Sequence, residues 1–448
     1  MTSFESTLPP PPKSRDEPYS YPLARPDPSS KPLPPKELTP EQQEKHANLI
    51  AHFNQPDFKL PNSLKTLKAH WAARGGGGGS RFGGLFGRSS TPLPEESELH
   101  PLTDVEKCYW SSQAFLRCLR AVKWDYAAAV RRAEETCVWR REYNVEGMKE
   151  EDVWREGETG KELVLGYDVD CRPVLYMHPY RQNTQTGPDQ IAFVVWCLER
   201  TIDLAPPTDP ATEMLCLCID FGANLKDTKS QPTTLGQARK VLEILQTYYC
   251  ERLGKAVCVN IPQIFFAFYR LVSPFVDPIT KEKIRFLDKP DATSLIPPQQ
   301  LQTIFGGDIN LQYDHSVYFP ALTKLCMERK AANLNRWRKW GEGRCGLDEA
   351  VVRGAREPSG SGAQKTKLDD EEAQKVPPTE ELAAASLHDS GHDSVEQDKN
   401  AASAGGSPEG TVVADEPGTS RGSGDKFVDA PVASASAVEK AAPALTTA

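Results

Sequence analysis

Three polar side chains, Glu251, Thr280 and Lys283, flank the most apolar helical stretch of the chain, and their types suit a ligand that carries phosphate and several hydroxyls. An ammonium donates to phosphate oxygens, while a carboxylate and a hydroxyl engage sugar hydroxyls. Between them, residues 262–275 place Gln263 and Arg270 on one face and leave Ile264, Phe265, Phe266, Phe268, Tyr269, Leu271 and Val272 to cover most of the circumference. A helix apolar nearly all round is buried on most sides or meets something other than water. At about fourteen residues it is too short to cross a bilayer. It is therefore either a central core helix or a movable wall between an apolar cavity and a membrane surface, and its polar neighbours are either headgroup ligands or solvated surface residues.

The elements that must position these residues follow from hydrophobic spacing. Ala256-Val257-Cys258-Val259 reads as a buried strand, with a helix starting at Pro262 and stopped by Pro274. Upstream, 162–167 and 172–177 form a hairpin around Asp168-Val169-Asp170-Cys171, 187–204 has helical spacing, and 214–219 is an apolar strand buried on both faces and ended by Asp220. That carboxylate is either catalytic or a hydrogen-bonding strand end. A helix at 237–248 and a short one at 297–305, stopped by Gly306-Gly307, complete a pattern of strands alternating with helices, which is an α/β sheet layered with helices. Towards the N-terminus, Thr39 caps a helix carrying Leu49, Ile50 and Phe53 that docks on the domain, and Asp104 and Asp125 start two more.

Several motifs, YYCERLGKAVCVNIP, PFVDPITKEKI, FGGD, ETGKELVLGYDVDCRPVLYMHPYRQNTQT and LERTIDLAPP, together resemble the CRAL-TRIO lipid-binding domain of fungal phosphatidylinositol-transfer proteins, in the subgroup linked to pleiotropic drug resistance. The resemblance runs over about residues 105–322. It implies a helical unit before an α/β lobe with a mixed sheet, and a gating helix over an apolar cavity. The inositol-lipid contacts carry over to Glu251, Thr280 and Lys283, with Lys123 as a further match. Val122 stands where the founding member has a basic residue, and Cys250 where it has Pro. Cavity and gate fall to Leu215, Leu217, Phe265, Phe266, Phe268, Tyr269 and Phe275. Relatives that also hold phosphatidylcholine use two hydroxyl residues where Leu215 and Leu217 stand, and leucine donates no hydrogen bond. The implied ligand is therefore phosphatidylinositol, with phosphatidylcholine bound poorly or not at all and a sterol as another occupant of the same space. Releasing about 30 chain methylenes into water at roughly 0.8 kcal/mol each costs about 24 kcal/mol, which is why such a lipid needs a carrier.

Composition sets the remaining bounds. With 38 prolines, 31 glycines and 38% hydrophobic residues, the folded part is smaller than the 448-residue chain. Residues 346–448 hold 19 acidic and 9 basic residues, a charge of −10 against −9 for the whole chain, so the rest is near neutral and nothing in the balance suggests a nucleic-acid footprint. The expected organisation is a solvated Pro-rich arm at 1–38, a short helical segment at 39–74, a Gly-rich connector at 75–100, a helical unit at 104–146, the lipid-binding domain at 153–313, a basic helical segment at 314–345 and an acidic disordered tail at 346–448. Within that basic segment, 322–344 lies either on an anionic membrane or back on the domain. Eleven scattered cysteines read as free thiols in a reducing compartment. No secretory signal is visible, and there is no apolar run near eighteen residues and no HExxH. The expectation is a non-enzymatic, cofactor-free monomer, cytoplasmic and peripheral on the endoplasmic reticulum, lipid droplets or other cytosolic membrane faces. It either transfers phosphatidylinositol or presents lipid to a lipid kinase as an adaptor.

Overall fold

The computed structural model describes residues 3–73, 98–185, 187–222 and 234–358. The connector expected at 75–100 lies outside them except for its last three residues, as does the tail from 359 onward, along with the side chains of Ile264 and Phe268.

Five helices build the N-terminal unit: α1 (Pro40–Phe53), α2 (Leu64–Ala73), α3 (Asp104–Tyr109), α4 (Ser112–Ala121) and α5 (Tyr126–Glu142). Their starts are written locally. Thr39 and Gln42 form a reciprocal capping box, as do Thr103 and Glu106, and Asp125 accepts from the N–H of Ala128. Leu49 and Phe53 of α1 are buried against Trp110, Phe115 and Leu119, so the docking expected of that helix occurs. A sixth helix, α6 (Glu150–Gly157), leads into the sheet.

The sheet has five strands in chain order: β1 (Glu162–Tyr167), β2 (Pro173–Met177), β3 (Leu215–Asp220), β4 (Leu253–Val259) and β5 (Ile284–Phe286). β1 and β2 are antiparallel and the other neighbours are parallel, giving a mixed sheet. The β1–β2 turn closes because Asp168 Oδ1 accepts the N–H groups of Asp170 and Arg172, both at 2.9 Å, while Cys171 takes φ 62°. The register shifts between Val164 and Tyr167, where Gly166 sits at φ 71°; a Cβ there would lie 2.1 Å from the Gln300 carbonyl oxygen. Parallel strands require crossovers. These are α7 (Pro188–Asp203), α8 (Leu235–Tyr248), α9 (Gln263–Val272) and α10 (Pro278–Glu282).

Beyond the sheet, the helix expected at 297–305 is instead two 3₁₀ turns, Pro298–Gln300 and Thr303–Phe305, because the intervening Leu301 is extended and its carbonyl accepts from Ile309. Gly306 stops the second at φ 92°. The long helix α11 (His315–Trp340) lies back on the domain: Leu334 and Trp337 are buried and Lys330 reaches Glu146 at 2.5 Å. A short helix, α12 (Glu349–Val352), follows it.

Two expected boundaries are corrected. The Pro-rich arm is folded onto the domain rather than solvated: Pro18–Tyr19 pairs with Asn310–Leu311, Tyr19 and Leu23 are buried in the main core, and Glu5 joins Arg25 and Arg329. Its prolines do not prevent this, since only two residues need to pair and the apolar side chains find a ready surface. The tail does not begin at 346, because Glu349, Ala350, Val351 and Val352 are all buried. All eleven cysteines are free thiols, nine of them buried.

Candidate functional site

Helix α9 is laid across one face of the sheet. Pro262 is its N-cap rather than its first residue, and the expected span 262–275 resolves into α9 and a 3₁₀ turn at Ser273–Phe275. Phe265 packs on Phe221 with ring centroids 4.3 Å apart, and Tyr269 meets Phe286 of β5 at 5.4 Å. Phe266 is 6.0 Å from the Phe286 ring. The outer side of this segment stays in solvent. Of eight exposed large apolar residues among those described, five fall between residues 266 and 286: Phe266, Leu271, Phe275, Ile279 and Phe286. A concentration of that kind marks an interaction surface rather than scattered surface apolarity. α9 is thus neither a fully buried core helix nor a surface helix with a polar outer face.

The sheet face beneath α9 is incompletely filled. Strand register places Leu217 beside Ala256 and Ile284, and Ile219 beside Cys258 and Phe286, the strand residue that the α9 rings of Phe265, Phe266 and Tyr269 meet. Leu217 and Ile219 are only half-buried although β3 is the central strand, whereas Cys216 and Cys218 on the opposite face are fully buried. On α8, Val241, Leu242 and Leu245 are half-buried too. The strand expected to be buried on both faces is therefore sealed on one alone. Leu215, one bulge away, is buried against Ile244 and Tyr248.

Glu251 and Lys283 are brought together at the far end of this face. Glu251 occupies the turn between α8 and β4 at φ 58°, and Lys283 ends α10, with its carbonyl accepting from Ala256 of β4. The Lys283 ammonium is 4.0 Å from the Glu251 carboxylate, and both side chains are partly exposed. Thr280 lies one turn earlier on α10, with its N–H held by Asp277. A half-exposed pair of this kind contributes little to stability, so both groups are available to a ligand. Lys123 stands apart, exposed at φ 53° in the α4–α5 turn, with no hydrogen bond or ion pair to Glu251 or Lys283. Its turn does adjoin theirs, because Val122 and Cys250 pack against the same apolar cluster. Asp220 is buried and accepts from Gly222 and Asn260, which is the expected strand-end role.

Spacing gave no hint of how the end of α9 is fastened. Gln246 of α8 donates to the Phe275 carbonyl and accepts from the Asp277 N–H, both at 2.9 Å, and the Arg239 guanidinium covers the Phe275 ring at 4.2 Å.

A mixed five-stranded sheet preceded by a helical unit, with an apolar helix across one face, is the architecture of a lipid-binding CRAL-TRIO lobe. Residues 157–307 match the CRAL/TRIO domain. The chain is 33% identical over 328 residues to the phosphatidylinositol transfer protein PDR17 of Saccharomyces cerevisiae, covering 71% of this chain and 85% of that one. It is 43% identical over 256 residues to a CRAL-TRIO domain-containing protein of Schizosaccharomyces pombe, covering 57% of this chain but 24% of that longer relative. A third relative, the SEC14 cytosolic factor of Candida glabrata, is 30% identical over 215 residues, covering 43% of this chain and 69% of that protein. The chain belongs to the CRAL/TRIO domain family.

Proposed function

We propose that this chain binds phosphatidylinositol and carries it between membranes without catalysing a reaction, with α9 as a gate that opens on the membrane surface. The observation that carries this reading is the position of α9: its outer apolar side chains face solvent while its inner rings cover a half-buried apolar sheet face. Acyl chains occupy that face, and the headgroup meets Lys283 through phosphate and Glu251 and Thr280 through inositol hydroxyls. The names of the relatives PDR17 and SEC14 support the same reading. No helix among the described residues is long and apolar enough to cross a membrane, so the proposed contact is peripheral, on a cytosolic membrane face.

Leu215 and Leu217 set the lipid preference, since neither can hydrogen-bond a choline-lipid phosphate. Purified protein will transfer labelled phosphatidylinositol between vesicles and leave labelled phosphatidylcholine near the spontaneous rate; equal transfer of the two would refute the assignment.

The gate makes a second prediction. Phe266→Asp with Leu271→Asp alters exposed side chains and leaves the fold intact, but removes about 1.5–3 kcal/mol of membrane burial per residue. Vesicle co-sedimentation should fall at least about tenfold for every lipid composition. Unchanged sedimentation would mean that another surface docks.

A further inference from the structure

Between the helical unit and α11, the structure holds a half-open pocket of about 100 Å³ that the lipid reading does not use. Charged groups line it beside apolar ones such as Leu334 and Val352. Arg117, Arg140, Arg252, Lys330 and Arg353 face it, with Glu146, Glu199, Asp203 and Glu349. The four carboxylates are already committed: Glu349 to Arg117 at 3.1 Å and Arg353 at 2.7 Å, Glu199 to Arg140 at 2.8 Å, Glu146 to Lys330 at 2.5 Å, and Asp203 to Arg200 at 2.9 Å. Arg252 is left over. Its side chain is 7% exposed, and among the described residues its guanidinium reaches one acceptor, the Glu213 carbonyl at 2.8 Å, and no carboxylate.

A buried cation without a counter-charge is costly, and a guanidinium does not escape by losing its proton. Burial, and then the like charges of Arg117 and Arg353, push Arg252 down to about 10, and nearby Glu349 offsets only part of this. One water fills about 30 Å³ of liquid, so the space is ample for a tetrahedral anion. The planar fork of arginine pairs with such an anion through two hydrogen bonds.

We propose that this cavity binds a small phosphate-like oxyanion, with Arg252 as its principal contact. The site needs no lipid chains, and its test is independent of the gate. Thermal unfolding of the full chain is followed while sodium phosphate or sulfate replaces chloride at constant ionic strength. The expected result is a saturable rise in Tm of about 5 °C at a hundredfold excess over Kd. Arg252→Met should be at least as stable as the wild type in chloride and lose the saturable rise, while Arg252→Lys should retain part of it. A rise that is linear in oxyanion, or undiminished in Arg252→Met, overturns the proposal. So does a rise with phosphatidic-acid vesicles and none with inorganic phosphate, which would reassign the site to a membrane headgroup. Should Arg252→Met fail to fold, selenate in wild-type crystals decides: anomalous signal beside Arg252 supports the site and its absence overturns it.

Discussion

A chain ended at Gly346 will be roughly 3–5 kcal/mol less stable than one ended at Glu357, although composition assigns both cuts to the same acidic tail. The difference lies in α12. Glu349 is buried and bonds Arg117, Arg353 and Ser111, and Ala350, Val351 and Val352 are buried beside it. Cutting at 346 leaves the Arg117 guanidinium, 4% exposed, with Glu213 alone. Breaking a buried ion pair by removing one partner carries that cost because a desolvated charge remains. The same network fixes the pH response. Burial alone would raise the Glu349 pKa, but the charges of Arg117 and Arg353 outweigh it and hold the carboxyl well below its ordinary 4.5. Its contribution is therefore present above pH 4.5 and is lost as pH falls towards the folded-state value. Denaturant unfolding at pH 7 should show the full gap between the two chains, and the gap should narrow progressively below pH 4.5. Equal stability at pH 7 would mean that α12 is not part of the folded domain.

That contrast separates what local sequence encodes from what it does not. Caps and turns were legible because each needs only three or four neighbouring residues: Thr39 ahead of α1, Asp125 ahead of α5, and Asp168 ahead of Cys171. The α/β class followed from alternating strands and helices, and the apolar character of α9 from its own residues, whereas the three-residue edge strand β5 is too short to show a pattern. The Pro-rich arm and α12 were misread because their order comes from distant surfaces, the Asn310–Leu311 edge and the Arg117 guanidinium. Charged residues default to the surface in any reading by composition, which hid Arg140, Glu199 and the whole polar cavity. At the candidate site, Glu251, Thr280 and Lys283 were picked out by type and position beside an apolar run, and the fold places the first and last 4.0 Å apart. Lys123 belongs to a neighbouring turn, and a contact across turns is a tertiary fact that residue type does not carry.

Replacing both Glu251 and Lys283 by alanine should lower phosphatidylinositol affinity about 10- to 100-fold while shifting stability by less than about 1 kcal/mol. The two figures differ because the ligand and the fold use the pair differently. At 4.0 Å and partly exposed, the ion pair is weak, and the Lys283 contact that holds β5 to β4 runs through its backbone carbonyl, which alanine keeps. In the proposed complex, by contrast, the ammonium meets a phosphate away from bulk water, where a charge-assisted bond contributes about 1.5–3 kcal/mol. Mass spectrometry of co-purified lipid and vesicle transfer measure the loss. Glu251→Ala alone should weaken inositol recognition and leave the phosphate contact, so its transfer defect should be the smaller. The gate variants give the control: Phe266→Asp with Leu271→Asp should depress membrane docking whatever lipid is offered, whereas the headgroup variants should still sediment with vesicles. If the double alanine variant transfers phosphatidylinositol at the wild-type rate, the anionic head lies elsewhere and the end of the apolar face beside Lys283 is not its mouth.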